Sequence, residues 1–314
     1  MPLLRFIPEA TNLNFVGARY IAFAIDGLLL LASIISITVH GFNLGIDFTG
    51  GVKLEIKSER SIDIGAVRAQ VATLGFKETQ IQYFGGGSCN QPENSCILIR
   101  VQHASEAEDA QVRPKVQAKL GAGYTFRNSE VIGPKVSGEL FHAGILATVL
   151  AVIAIAIWVA LRFEWQYGVA AAFATGHDVL VTAGLYSLLH LDFTLTSVAA
   201  LLTLAGYSIN DTVVVFDRIR ENRRKYKRMG LADLINLSTN QMLTRTILVS
   251  TATAVSLIPL LFYGGPSLFD FSAAILFGIV VGTFSSIYVA AALLLYLPAP
   301  AGAVDSGNTA EASA

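Results

Sequence analysis

Six apolar stretches dominate the chain, at residues 20–39, 143–161, 168–189, 193–216, 242–263 and 271–297. Crossing the roughly 30 Å hydrocarbon layer of a bilayer takes about 20 residues of helix, and the stretches meet that length. The sequence therefore predicts an α-helical polytopic membrane protein with six transmembrane helices. Only 14% of residues are charged against 53% hydrophobic, where soluble domains carry about 25% charged residues. The first stretch follows Arg5 and Arg19 in the manner of a secretory leader. Its apolar core is longer than the usual ~7–15 residues and no small-residue cleavage site closes it, so it reads as a retained anchor.

Charges outside the spans set the orientation. Arg218, Arg220, Arg223, Arg224, Lys225, Lys227 and Arg228 follow the fourth stretch, whereas the links at 191–192 and 264–270 carry no Lys or Arg. Cytoplasmic loops accumulate such residues. This places both termini (1–19 and 298–314, the latter read as a disordered tail) and a basic loop at 218–241 in the cytoplasm. The first span, 20–40, then leads into an exterior domain at 41–139, and 140–297 holds the other five. The basic cluster equally suits anionic lipid head groups or a cytoplasmic partner, and Glu221 stands at helical spacing before Lys225. A net charge of −1 gives no reason to invoke nucleic acid.

The exterior segment alternates between two periodicities. VKLEIKS (52–58), TQIQYFG (79–85), CILIRVQ (96–102) and YTFRNSEVIG (124–133) read as strands, while 64–75 and 105–120 have helical spacing. The order β, α, β, β, α, β predicts a ferredoxin-like α+β domain. Both cysteines, Cys89 and Cys96, lie in it and flank a short turn. In an oxidising compartment they suit a disulfide; two free thiols are the other reading. Without CxxC spacing, neither redox catalysis nor a metal site is indicated.

Several ionisable residues fall inside apolar stretches, where a lone charge costs roughly 3 kcal/mol at the bilayer centre and marks a functional site by default. Asp211 lies in LLTLAGYSINDTVVVF and Arg245 in QMLTRTILVS. Their depths match, which suggests a pair across two helices that protonation of Asp211 would loosen; a static pair that only fixes packing is the other reading. His177 and Asp178 in the third span could extend a proton path. Asp26 in the first span could join them, snorkel to the interface, or pair with Arg19 on the same helix face. Asp217 reads as an interfacial partner of nearby arginines.

Other patterns point to mechanics. Ala274, Gly278, Gly282, Ser286 and Ala290 recur every four residues in the sixth span, and small residues at that spacing permit close helix approach. Pro259 suits a local bend in the fifth span. The turn GIDFTGG at 45–51 lacks P-loop spacing and a following Lys, so its glycines read as backbone turns between membrane and domain. No metalloprotease HExxH, serine nucleophile elbow or nucleotide loop is present, which argues against an enzyme of covalent chemistry.

GIDFTGG, EVIGPKVSGEL (130–140), RFEWQYG (162–168), GHDV (176–179) and GYSINDTVVVFDRIREN (206–222) occur in this order. Together they resemble the SecD/SecF family of bacterial protein-export membrane subunits, in the resistance-nodulation-division superfamily, and within it the smaller subunit. The resemblance covers nearly the whole chain. It implies a six-helix bundle in the inner membrane, a periplasmic domain, a larger SecD partner, the SecYEG channel, YajC as an associated subunit and unfolded preprotein as substrate. Protons would be the coupling ion, with no other cofactor. The relay maps onto Asp211 and Arg245, and Gly45, Asp47, Gly50 and Gly51 take a hinge or domain-support role. A proton-coupled exporter of small molecules or lipids, from the same superfamily, is the alternative, and a passive scaffold a third.

Overall fold

The computed structural model describes residues 11–76, 79–83, 89, 95–103, 105–264 and 266–298. The tail from 299 and most of the CNQPENSC turn lie outside the described residues. Among the described residues, six helices are long and apolar enough to cross a membrane. They are carried by α1 (Arg19–His40), α5 (Pro134–Arg162), α6 (Trp165–Leu188), α7 (Leu195–Lys225), α8 (Leu231–Tyr263) and α9 (Pro266–Ser285), the last continued by a π-helical turn at Ser286–Ala290 and α10 at Ala291–Leu293. Helices are the expected solution, because lipid offers no partner to an unpaired backbone group. α6, α7 and the α9 span are central, with 67%, 50% and 61% of their apolar windows buried. α1, α5 and α8 are peripheral and turn residues such as Leu28, Leu31, Leu146, Val149 and Leu248 outward.

Close packing of the centre depends on the small-residue row of α9. A Cβ on Gly278 would come within 2.5 Å of the Leu204 side chain on α7, and one on Gly282 within 3.3 Å of an Asp178 carboxylate oxygen on α6. Ala274, Ser286 and Ala290 are fully buried. The row therefore faces other helices of this chain. α8 runs through Pro259 as one helix.

Two boundaries differ from the expectation. The basic segment 218–241 is no loop: α7 continues to Lys225 and α8 starts at Leu231, leaving 226–230 as the link. Three basic residues in the last turn of α7 complement its dipole, and Asn222 bonds across to Ser238 and Gln241 on α8 at 2.9 and 2.8 Å. Glu221 pairs with Arg218 at 2.6 Å rather than with Lys225. On the other side, α5 already begins at Pro134, inside the segment assigned to the exterior domain, since proline suits the first helical turn.

The soluble domain consists of β2 (Gly51–Ser58), α3 (Ile64–Ala72), β3 (Thr79–Tyr83), β4 (Cys96–Gln102), α4 (Glu106–Leu120) and β5 (Tyr124–Ile132). Its sheet has the order β3-β4-β2-β5 and is antiparallel throughout. Val52, Leu54, Ile56, Ile97, Ile99 and Val101 line one face and pack on Val67, Val71, Val112 and Val116 of the two helices. Asp63 and Ser105 cap those helices by accepting from Gly65 N and Glu108 N. Cys89 and Cys96 are disulfide-bonded, with Cα atoms 5.2 Å apart.

The domain is docked on the bundle as well as tethered to it. A short strand β1 (Asn43–Leu44) pairs in parallel with β6 (Asp192–Phe193) in the α6–α7 link, and a one-turn helix α2 (Ile46–Thr49) follows. Gly45 N donates to Phe193 O at 2.9 Å, and Asp47 Oδ2 accepts from Leu195 N at 2.9 Å, at the positive end of α7. Gly50 turns the chain with φ +72°. Gly51 opens β2 at φ +132°, where a Cβ would strike the Val101 carbonyl of β4.

Candidate proton site in the bundle

Asp211 sits on the inner face of α7, 3% exposed. Its Oδ2 accepts from Ser250 Oγ of α8 at 3.4 Å, and that hydroxyl also meets Thr283 Oγ1 of α9 at 2.8 Å. Arg245 makes no direct bond to them. Its residue is exposed, and among the described residues no ion pair within 4.0 Å links it to Asp211. Depth alone suggested the pair, but Arg245 stands five positions before Ser250, about 140° around the helix. It lines instead a cleft of about 500 Å³ on the basic side, with Trp158, Arg162, Asp217, Arg218 and Glu221. Asp217 is exposed there and makes no ion pair within 4.0 Å among the described residues.

A second group is more tightly built. His177 Nδ1 lies 3.1 Å from Asp178 Oδ1, and its Nε2 is 3.4 Å from the Asp26 carbonyl oxygen and 3.9 Å from Asp26 Oδ1. Asp178 Oδ2 accepts from Ser208 Oγ of α7 at 2.5 Å and from Ser285 Oγ of α9 at 2.8 Å. Asp26 therefore faces His177 and not Arg19, whose guanidinium bonds to Tyr296, Tyr20 and the Val16 carbonyl. The seven-residue spacing of Asp26 from Arg19 matches a helix face, but each side chain finds nearer company on other elements. Between the two groups, Ser286 in the π turn meets Thr212 Oγ1 at 2.9 Å and donates to the Ser208 carbonyl at 3.4 Å. π turns inside helices recur at functional sites.

The domain junction carries a charge group that pattern reading passed over. Arg100 of β4, 8% exposed, forms a two-pronged pair with Asp192 of β6, through Nη1 to Oδ1 at 2.8 Å and Nη2 to Oδ2. Asn43 and Gln82 add bonds to the same carboxylate at 2.8 and 3.3 Å, and Asp192 N donates to Asp270 Oδ2 of α9 at 3.2 Å. A signal was present. CILIRVQ does not alternate, which marks a strand buried on both faces, and a cation there needs an acid from outside the domain.

Residues 112–299 match the family model described as protein export membrane protein SecD/SecF, C-terminal, and residues 35–62 match the SecD/SecF GG motif. The protein translocase subunit SecF of Cereibacter sphaeroides is 42% identical over 94% of this chain and 92% of its own length. That of Rickettsia typhi is 36% identical over 93% and 94%. The crystal structure of SecDF from Thermus thermophilus, a translocon-associated membrane protein, superposes with a TM-score of 0.82 at 36% identity, over 93% of this chain. This chain spans 39% of that one. A SecDF crystal structure in a super-membrane-facing form covers 94% at 35% identity with a TM-score of 0.64. Family models, full-length relatives and superposition agree that this chain belongs to the SecD/SecF family of protein export membrane proteins.

Proposed function

We propose that this chain works in the bacterial inner membrane as the SecF-type half of a SecD-containing complex. In it the proton motive force drives the outer-face steps of preprotein translocation through SecYEG, with YajC as an associated subunit. Both termini then face the cytoplasm and the domain at 41–139 the periplasm. Asp211 carries this reading: a carboxylate buried at 3% exposure whose one hydrogen bond among the described residues comes from Ser250 at 3.4 Å. Ionised, it is a poorly compensated charge in hydrocarbon; protonated, it is neutral, so the two states favour different packings of α7 against α8 and α9. A rotation of α8 that brings Arg245 inward would hold the ionised form and open it to the basic-side cleft. A membrane potential of 100 mV supplies about 2.3 kcal/mol per charge, enough to bias two packings. The exporter alternative asks for a ligand pocket in the soluble domain, where the apolar face of the sheet is instead covered by Val67, Val71, Val112 and Val116 of the two helices.

The test is Asp211→Asn in energised vesicles containing the partner subunit and the channel. The variant is expected to insert and assemble while proton-dependent export stimulation falls about tenfold or more, equivalent to about 1.4 kcal/mol of lost drive. Full stimulation by the assembled variant would leave the scaffold reading in its place.

A further inference from the structure

We propose that Asp26, His177 and Asp178 form a second proton-binding site, with Asp26 as the group that gains and loses the proton and α1 as the helix that responds. The proposal rests on the proton-coupled reading above and adds to it a separate site with a direct connection to the soluble domain. All three residues are at most 5% exposed. Asp178 has the acceptor-only company of an ionised carboxylate: the hydroxyls of Ser208 and Ser285 on Oδ2, and the His177 ring on Oδ1. The imidazole bridges to α1 through its other nitrogen. Asp26 is the group left over, since both its carboxylate oxygens are buried without a hydrogen-bond partner among the described residues.

Counting charges selects the exchanging group. With His177 protonated and both carboxylates ionised, the site carries one net negative charge in hydrocarbon. A proton on Asp26 makes it neutral. Asp178 is a poor candidate for that proton, because a hydrogen on it would displace a bond it already accepts. The charged groups facing Asp26 are His177 and Asp178, both on α6. The π turn also packs on α1, and its one titratable residue, Tyr288, stacks near Phe15 and Phe284. Beyond the turn, Tyr296 meets Phe23 and Arg19 at the start of α1.

The seam between α1 and α6 gives the proton something to move. A Cβ on Gly184 would overlap Ser33, so the two backbones are in close contact, and Ser36 and Ser187 hydroxyls bond at 3.0 Å further along. α1 then passes through Gly41 into β1, which is paired to the bundle's outer link. Ionising Asp26 strengthens its attraction to His177; neutralising it weakens that attraction. The position of α1 on α6 changes accordingly, at the helix that leads into the domain.

The intact complex is treated at a series of pH values between about 5 and 8 with dicyclohexylcarbodiimide, which couples to protonated carboxyls in apolar surroundings, and Asp26 is read by peptide mass spectrometry. Labelling is expected to fall several-fold as pH rises, to persist to higher pH in His177→Gln, and to remain pH-dependent in Asp211→Asn. Assembled Asp26→Asn is expected to lose about tenfold or more of proton-dependent export. Absent or pH-invariant labelling overturns the proposal, as does full export by assembled Asp26→Asn. If Asp26→Asn does not assemble, the wild-type labelling decides. Because labelling reads Asp26 alone, it separates failure of this site from failure of Asp211 as the coupling residue.

Discussion

Asp178 and Asp211 are buried in the same bundle, at 0% and 3% exposure, in opposite company. Asp178 accepts from two hydroxyls and lies against an imidazole, drawing α6, α7 and α9 together. Asp211 has one serine at 3.4 Å. A carboxylate whose lone pairs are taken ties helices in one arrangement, since moving any of them leaves a polar atom unpaired in hydrocarbon. A carboxylate with one long bond leaves its helix free to occupy a second arrangement. The contrast makes Asp178 a tie between helices, and under the proton-coupled reading proposed above it leaves motion to Asp211 and Asp26, although all three are acids in spans.

The largest expected effect separates the two roles by stability. Asp178→Ala removes the partner of His177, Ser208 and Ser285 at once, and breaking a buried charged group of this kind costs about 3–5 kcal/mol. Thermal unfolding of the purified complex should show that loss, while Asp211→Asn stays within about 1 kcal/mol of the parent. Equal losses would end the distinction.

The junction sharpens the comparison outside the membrane. Asp192 is a saturated acid like Asp178, holding Arg100, Asn43 and Gln82, but its side chain keeps 13% exposure. Arg100→Met should therefore cost less, about 1–3 kcal/mol, and release the domain locally. Hydrogen exchange should quicken at β1 and β6 while the core of β2 and β4 stays protected. Unchanged exchange at β1 would mean that the strand pair alone holds the domain.

How much of this is legible in the sequence depends on the number of coordinates a feature needs. The spans need only apolar length, and the domain strands need only local periodicity, so residues 52–58 and 96–102 read correctly as strands. The Asp211–Arg245 pair needs depth and rotation together. Depth can be counted from Arg218, but the rotation that turns Arg245 away from Ser250 follows from how α8 packs on α7 and α9. The sequence leaves Asp26 open to Arg19 or His177, and only the α1–α6 seam selects His177. Arg100 and Asp192 are 92 positions apart, and no local pattern in either stretch names the other.

The smallest effect tests the moving acid through its one donor. Ser250 Oγ is shared between Asp211 at 3.4 Å and Thr283 at 2.8 Å, so its bond to the carboxylate is the longer and weaker of the two. Ser250→Ala should lower stability by only about 0.5–1 kcal/mol, the net worth of an ordinary hydrogen bond. If Asp211 works by changing its own charge, the serine is a bystander to the proton, and export by Ser250→Ala should stay within about threefold of the parent, a change of under about 1 kcal/mol in the barrier. The measurement is proton-dependent export in the same vesicles used for Asp211→Asn. A loss as deep as that of Asp211→Asn would mean that the hydroxyl chain through Ser250 and Thr283 carries the proton, and Asp211 would then belong with Asp178 as one member of a fixed network.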